Sequence, residues 1–394
     1  MTSRGIAASR PPVGGRQTLA GRYFRDFDVI MLLTTVALIA FGCLAIVSAS
    51  GVEGYGFDNP GVRQAVLASV GVVLCLIVST IDYRFIASAA WVLYGIGLLA
   101  LGLVLIPGIG SETLGARRWF DLAGIVTIQP SEFTKVTTAI ALAAFISSRQ
   151  ESVRAFGDFV LSLVIVGIPM ALIVAEPDLD SALTYLIIWC AMMLVSRPRW
   201  LHLGILAAAS VALVFVAMNT TFLLREYHRE RISAFIDSIK GVSDRNQDVN
   251  FQQLQATISI GSGGLLGNGM EGGFASDLLS VRTSDFVFAH ASSMFGFVGM
   301  VALFLCYVIL LLRFLRVVEI SRDGFGRCFA IGITGMIFAQ AVINIAMNLS
   351  LLPVAGIPLP FVSVGVSSLW AFLIAEGILQ SILMHHRKLG FQPD

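Results

Sequence analysis

Ten separate stretches of this chain are apolar over about 17–25 residues, the length an α-helix needs to cross the hydrocarbon core of a bilayer. They fall at roughly 29–50, 65–81, 85–106, 131–147, 159–175, 179–196, 200–218, 286–312, 326–350 and 361–384. In hydrocarbon every backbone N–H and C=O must be satisfied inside the segment itself, so runs of this length are helical. The expected fold is therefore an all-α polytopic membrane protein with about ten transmembrane helices. Composition closes the alternatives. The 394 residues are 56% hydrophobic and only 13% charged, with a mean hydropathy of +0.84. A soluble domain carries about 25% charged and about 45–50% apolar residues, so a soluble globule and a disordered chain are both excluded. The first span is too long for a cleaved signal peptide and leads into further spans. Residues 1–25, rich in Arg, Gly and Pro, read as a disordered cytoplasmic N-terminus. Residues 26–388 read as one membrane domain with a long outer loop at 219–284, and 389–394 as a cytoplasmic tail.

Ten spans place both termini on one side, and the basic residues say which. One set of loops collects sixteen: Arg4, Arg10, Arg16, Arg22, Arg25, Arg84, Arg149, Arg154, Arg197, Arg199, Arg313, Arg316, Arg322, Arg327, Arg387 and Lys388. The short loops of the other set hold three, Arg63, Arg117 and Arg118. The 66-residue segment 219–284 is too long to count. Cytoplasmic loops carry the excess of Lys and Arg, so both termini are cytoplasmic and the loops 107–130, 219–284 and 351–360 face outward. A net charge of +1 and the lack of any basic, aromatic-interleaved patch give no sign of nucleic acid. The five cysteines lie in or beside apolar runs with no CxxC pair, so neither a disulfide framework nor a zinc site is legible.

The unusual polar residues gather at the outer ends of the spans. Arg117 and Arg118 beside Trp119 suit a phosphate group at the membrane surface, because guanidinium forks grip phosphate oxygens and Trp sits at the interface. Ordinary interfacial anchoring fits the same three residues. Gln129-Pro130-Ser131-Glu132 opens the fourth span, with Pro and Glu in normal helix-start positions. Lys135 follows Glu132 by three residues, on the same face, where the two can pair. Glu176, Asp178 and Asp180 crowd one short turn; oxygen ligation of a divalent cation is one reading, a helix cap the commoner one. Segment 261–273 has seven glycines in thirteen positions but lacks a P-loop's Lys-Ser/Thr ending, so no nucleotide is expected; a flexible loop and a pyrophosphate contact both fit.

Asp285 stands at the outer mouth of the eighth span, where lost hydration would raise a carboxyl toward the range of a general base. A helix cap is the plainer use of the same residue. Gln340, Asn344 and Asn348 recur at i, i+4 and i+8 and so make one polar stripe, which either bonds neighbouring segments or lines a wet cavity. Glu376, deep in the tenth span, must be neutral, paired or facing water.

Taken in order, these motifs resemble a family. Gly115-Ala116-Arg117-Arg118-Trp119, Gln129-Pro130-Ser131-Glu132 with Lys135, and Glu176-Pro177-Asp178-Leu179 are similar to signatures of the SEDS proteins (shape, elongation, division and sporulation; RodA and FtsW). So are Gln255 with Ile260-Gly261-Ser262-Gly263-Gly264-Leu265, and Asp285-Phe286-Val287-Phe288-Ala289. The most specific match is Leu352-Pro353-Val354-Ala355-Gly356-Ile357-Pro358-Leu359-Pro360-Phe361-Val362-Ser363.

The resemblance implies a peptidoglycan glycosyltransferase that polymerises lipid II at the outer face of the bacterial cytoplasmic membrane, in elongation or division. It implies Asp285 as the essential acid, with Arg117, Arg118, Trp119, Gln129, Glu132, Lys135, Asn344, Asn348 and Ser363 as substrate-binding residues. A class B penicillin-binding protein is the implied partner, and a divalent cation, Mg2+ or Mn2+, an option at the pyrophosphate. The chain departs from the family pattern near Asp285: Thr283-Ser284 replaces His-Thr, Ser293-Met294 a Glu pair, and Asp180 a Gly. Those departures keep open a catalytically degenerate scaffold, and the outer basic pair with the polar stripe keeps open a flippase for lipid-linked precursors.

Overall fold

The computed structural model describes residues 26–51, 56–108, 110–113, 116–122, 126–149, 153–176, 178–208, 248–270, 279 and 281–385. The first apolar run is helix α1, Val29–Ser50, capped by Asp28, whose side chain accepts from the Met31 amide. Asn59 caps α2, Pro60–Thr80, with Pro60 at the first helical position. The third predicted span divides at Ala89 into α3, Tyr83–Ser88, and α4, Ala90–Val104. Then come α5, Pro130–Ser148, α6, Phe156–Ala175, and α7, Leu179–Val195. Residues 200–208 are helical; the rest of the seventh predicted span, 209–218, lies outside the described residues, as do the two terminal segments. Beyond it lie α8, Asp248–Ser262, α9, Val287–Ile320, α10, Gly324–Asn348, and α11, Val366–His385. The expected multi-span helical membrane fold is thus present: α1, α2, α6, α9, α10 and α11 are long and apolar enough to cross a membrane, and α4 and α7 are shorter apolar helices.

The helix boundaries depart from the apolar runs where polar chemistry intervenes. Helix α9 continues beyond position 312 to Ile320, and its added turns carry Arg313 and Arg316 to the Asp28 carboxylate at 3.5 and 4.0 Å. The tenth run begins at 361, but α11 begins only at Val366, since Phe361 has a left-handed φ of 66° that a right-handed helix does not admit. The outer segment 107–130, expected as loop, holds a small antiparallel sheet of β1, Ser111–Thr113, β2, Ala116–Leu122, and β3, Val126–Ile128, in that order. Part of the expected outer loop 219–284 is likewise the helix α8.

Helix α5 is the least typical and the most central. It packs against α3, α4, α6, α7, α10 and α11. Ser131, Glu132, Thr134, Lys135 and Thr138 are buried along it, which keeps its polar groups away from lipid.

Helix α9 is broken at Gly296, whose φ of 63° and ψ of −169° are non-helical. Such a break frees backbone groups that hydrocarbon cannot satisfy. The glycine-rich segment after α8 satisfies them: Asn268 and Gly269 amides donate to the Ser293 and Met294 carbonyls at 2.9 and 3.1 Å. In return, the Phe297 and Val298 amides donate to the Gly264 and Leu265 carbonyls at 2.9 and 3.1 Å. The glycines there serve close backbone approach. A Cβ on Gly267 would stand 2.1 Å from the Met294 carbonyl oxygen, and one on Gly296 would stand 2.3 Å from the Gly267 nitrogen.

Candidate active site

Two clusters of sequence-predicted residues form at the helix ends that the charge pattern expects to face outward, joined by the segment 349–365. The first is built on Asp285. It lies in the turn 281–286 and is half-buried. The N-cap of α9 is Phe286, which makes no side-chain cap bond, so Asp285 is one residue short of the capping position. Its backbone carbonyl instead accepts from the Asn344 and Asn348 side-chain amides at 3.2 and 3.0 Å. Asn344 also donates to the Ile357 carbonyl at 2.9 Å, and the Asn348 side-chain oxygen accepts from the Ala289 amide at 3.2 Å.

Ser363 completes this frame. Its hydroxyl donates to the Ser284 carbonyl at 2.7 Å and accepts from the Leu359 amide at 2.9 Å, while the Val364 amide donates to the Thr283 carbonyl at 3.0 Å. Asn344 and Asn348 are fully buried and Ser363 is nearly so. Asn344, Asn348 and Ser363, expected to meet substrate, here direct their hydrogen bonds to the backbone that carries Asp285. Gln340, the third member of the stripe, is buried, and among the described residues neither polar atom of its side chain is hydrogen-bonded. The segment itself is bracketed by two non-glycine residues of positive φ, Ser350 at 58° and Phe361 at 66°, an arrangement that persists only where neighbours enforce it.

The second cluster surrounds the α6–α7 turn. Arg118, in β2, donates through Nε to the Glu176 carbonyl at 2.9 Å, and its guanidinium lies 3.8 Å from the Asp178 carboxylate. Asp178 is the N-cap of α7, as the capping reading expects, and accepts from the Ser181 amide and hydroxyl at 3.1 and 2.8 Å. Gln129 donates to the same carboxylate at 3.3 Å. Glu132 and Lys135 pair at 2.7 Å within α5, both buried. Trp119 is half-buried in β2 opposite Ser111. Arg117 stands in β2 opposite Glu112, and its side chain lies outside the described residues.

Glu176 enters from the sequence only as one of three carboxyls that could ligate a cation, not as a substrate-binding or catalytic residue. It is 1% exposed, and among the described residues neither carboxyl oxygen has a hydrogen-bond partner. Burial, then the neighbouring Asp178, pushes its acid up to about 8, with Arg118 opposing. The signal in the sequence was the Glu-Pro-Asp spacing, which cannot show which carboxyl is solvated.

The segment 349–365 touches both clusters. Asp180, at the start of α7, accepts from the Gly356 amide at 2.9 Å, seven residues before Ser363 meets Ser284. Ser367, at the head of α11, accepts from the Gln129 amide at 2.9 Å and donates to the Thr127 carbonyl at 3.1 Å. Among the described residues no group of three His, Cys, Asp or Glu side chains converges as metal ligands, so the option of a Mg2+ or Mn2+ ion finds no built ligand set there. What the arrangement offers is one backbone-clamped carboxyl and, on the far side of a shared strap, a guanidinium among buried acids.

Comparison with known proteins follows the same line. The family model of the FtsW, RodA and SpoVE cell cycle proteins matches residues 29–388. A probable peptidoglycan glycosyltransferase FtsW of Trichlorobacter lovleyi is 33% identical over 363 residues, 91% of this chain and 93% of that protein. The peptidoglycan glycosyltransferase MrdB of Escherichia coli K12 is 32% identical over 365 residues, 92% of this chain and 95% of that protein. A chain from a solved structure described as "Structural coordination of polymerization and crosslinking by a peptidoglycan synthase complex" superposes with a TM-score of 0.76 at 28% identity, covering 91% of this chain and 97% of that one.

Proposed function

The chain belongs to the SEDS family of FtsW and RodA proteins and is a peptidoglycan glycosyltransferase of the bacterial cytoplasmic membrane, and from that premise we propose that it polymerises lipid II with Asp285 as the general base. The donor is a glycan on a polyprenyl pyrophosphate, and the acceptor is a sugar hydroxyl. Asp285 takes the hydroxyl proton as that oxygen attacks the donor's anomeric carbon. The bond from that carbon to the phosphate oxygen breaks, and the pyrophosphate leaves with the electron pair. One displacement inverts the centre and needs one base. Arg118, and Arg117 beside it in β2, offset the charge that develops on the leaving group. Lys135 is already engaged by Glu132 at 2.7 Å and acts in this reading by holding α5 in place.

The observation that carries the assignment is the clamp on Asp285. Two buried asparagines hold its carbonyl and a buried serine holds that of Ser284, so the backbone under a half-buried carboxyl is fixed from α10 and from the 349–365 segment. Positioning to that degree is what a base must have and a solvated surface acid does not need. Asp285→Asn in purified protein given labelled lipid II is the test. We expect polymerisation to fall by about 100-fold or more while the fold persists. An Asn variant that keeps most of the wild-type rate overturns the assignment.

A class B penicillin-binding protein is the proposed partner. The likeness to a chain of a peptidoglycan synthase complex that couples polymerization to crosslinking supports it. Co-purification from mild detergent tests it, and a folded protein that retains no such partner counts against it. At 33% and 32% identity the relatives named FtsW and MrdB are equally near, which leaves the elongation and division roles equally supported.

A further inference from the structure

Glu176 sits at the C-cap of α6 with a buried carboxyl, neither oxygen of which is hydrogen-bonded among the described residues. Arg118 donates to the Glu176 backbone carbonyl, not to its carboxyl. Asp178 meanwhile receives the Ser181 amide and hydroxyl, the Gln129 side-chain Nε2 and the Arg118 guanidinium. Two carboxyls two residues apart are thus treated oppositely: among the described residues Asp178 accepts several hydrogen bonds, and the Glu176 carboxyl none. A carboxylate buried without donors is strongly disfavoured, and the group takes its neutral form instead. The charged groups that act on Glu176 are Asp178 and Arg118, and Tyr185 on α7 is coupled to Glu176 and Asp178 and, beyond them, to Glu132 on α5, itself paired with Lys135, and to Tyr94 on α4.

We propose that Glu176 is a positioning residue for the donor's pyrophosphate: held as a neutral carboxylic acid against the Arg118 turn, it withholds a second negative charge from the guanidinium that receives the phosphate. The inference rests on the assignment of Arg118 to the donor made above. Ionised, Glu176 would place an anion beside Asp178 and compete with the donor for the same guanidinium. Neutral, it keeps the turn packed and adds no charge. Burial, with Asp178 adding to it, pushes this acid up to about 8, so the neutral form prevails at neutral pH and is lost above that value. If only the neutral form admits donor, the apparent KM rises by a factor of 1 + 10^(pH − pKa), about tenfold one unit above the midpoint.

The experiment measures KM and kcat for lipid II from pH 6.5 to 9 in wild type, Glu176→Gln and Arg118→Ala, each checked for an intact fold by thermal melting in detergent. Gln keeps the shape and the neutrality. We expect Glu176→Gln within about twofold of wild type at pH 7, and a wild-type KM that rises about tenfold by pH 9 while the Gln variant stays flat. Arg118→Ala should raise KM at every pH. Two outcomes overturn the inference alone: parallel wild-type and Gln profiles with Arg118→Ala still raising KM, or a Gln variant weakened tenfold at pH 7. An Arg118→Ala variant with unchanged KM removes the donor assignment and this inference with it.

Discussion

The Asn348 side-chain amide donates to the Asp285 backbone carbonyl at 3.0 Å, from 63 positions further along the chain, and its oxygen accepts from the Ala289 amide at 3.2 Å. One side chain on α10 therefore grips the start of α9 on both sides of its first turn. Asn344, one turn earlier, adds a second donor to the same carbonyl at 3.2 Å. Asn348→Asp keeps an acceptor for Ala289 but removes the donor and turns a carboxyl oxygen toward the Asp285 carbonyl. A misplacement of about 1 Å can cost about 100-fold in rate. We expect kcat to fall by about 10–100-fold with KM for lipid II within a few-fold, the split expected for a group that acts only through the base. Equal loss in both parameters would instead make Asn348 a substrate contact.

The Glu132–Lys135 pair yields a stability prediction. Both residues are buried and their charged atoms are 2.7 Å apart, within a helix that packs against six others among the described residues. Removing one partner of a buried pair leaves an uncompensated charge, at about 3–5 kcal/mol, whereas replacing both is often neutral. Lys135→Met should lower the melting temperature in detergent sharply, and Glu132→Gln added to it should recover most of the loss. Failure of the double variant to recover would mean that Lys135 has a role beyond this pairing.

Much of this architecture was legible in the sequence because bilayer thickness acts on one contiguous run of residues at a time. The run 29–50 is the helix Val29–Ser50, and Glu132 with Lys135 at i, i+3 pairs as the spacing foretold. The Asn344–Asn348 stripe was visible too, but its purpose was not, because its partner at Asp285 lies 59 and 63 residues away. The three strands of 111–128 escaped notice for a different reason: two of them are three residues long, too short to show alternation. Nor did the break at Gly296 announce itself, since a glycine inside an apolar run reads as helix until a second glycine segment is found lying against it.

That break gives a sharp contrast between glycines of one segment. Gly267 has a φ of 83° and no room for a Cβ, while a Cβ on Gly261, six residues earlier in α8, meets nothing within 4 Å. Gly267→Ala combines a left-handed backbone, about 1–3 kcal/mol, with a clash against the Met294 carbonyl. Gly261→Ala gains helix propensity of about 1 kcal/mol. The first should cut folded yield and melting temperature; the second should leave both unchanged or slightly higher. Because the segment supports the half of α9 that begins beside Asp285, the Gly267 variant should also lose activity per folded molecule. A Gly267→Ala protein as stable as Gly261→Ala would refute the packing described for the break.

The buried acid at the α6–α7 turn makes stability itself depend on pH. Glu176 has an ordinary value of 4.5 and a folded value of about 8, so its folded-state pKa is raised. Below about 4.5 the acid is protonated whether the chain is folded or not, and it contributes no pH dependence. Between 4.5 and about 8 the unfolded chain is ionised while the folded one keeps its proton, and stability falls by about 1.4 kcal/mol for each pH unit. Above about 8 both forms are ionised and the loss is complete. Gln carries no such proton. The melting temperature of Glu176→Gln minus that of wild type should therefore grow steadily from pH 5 to pH 8 and then level off. A difference that stays constant over that range would mean that Glu176 is already ionised in the fold and has found donors to hold it.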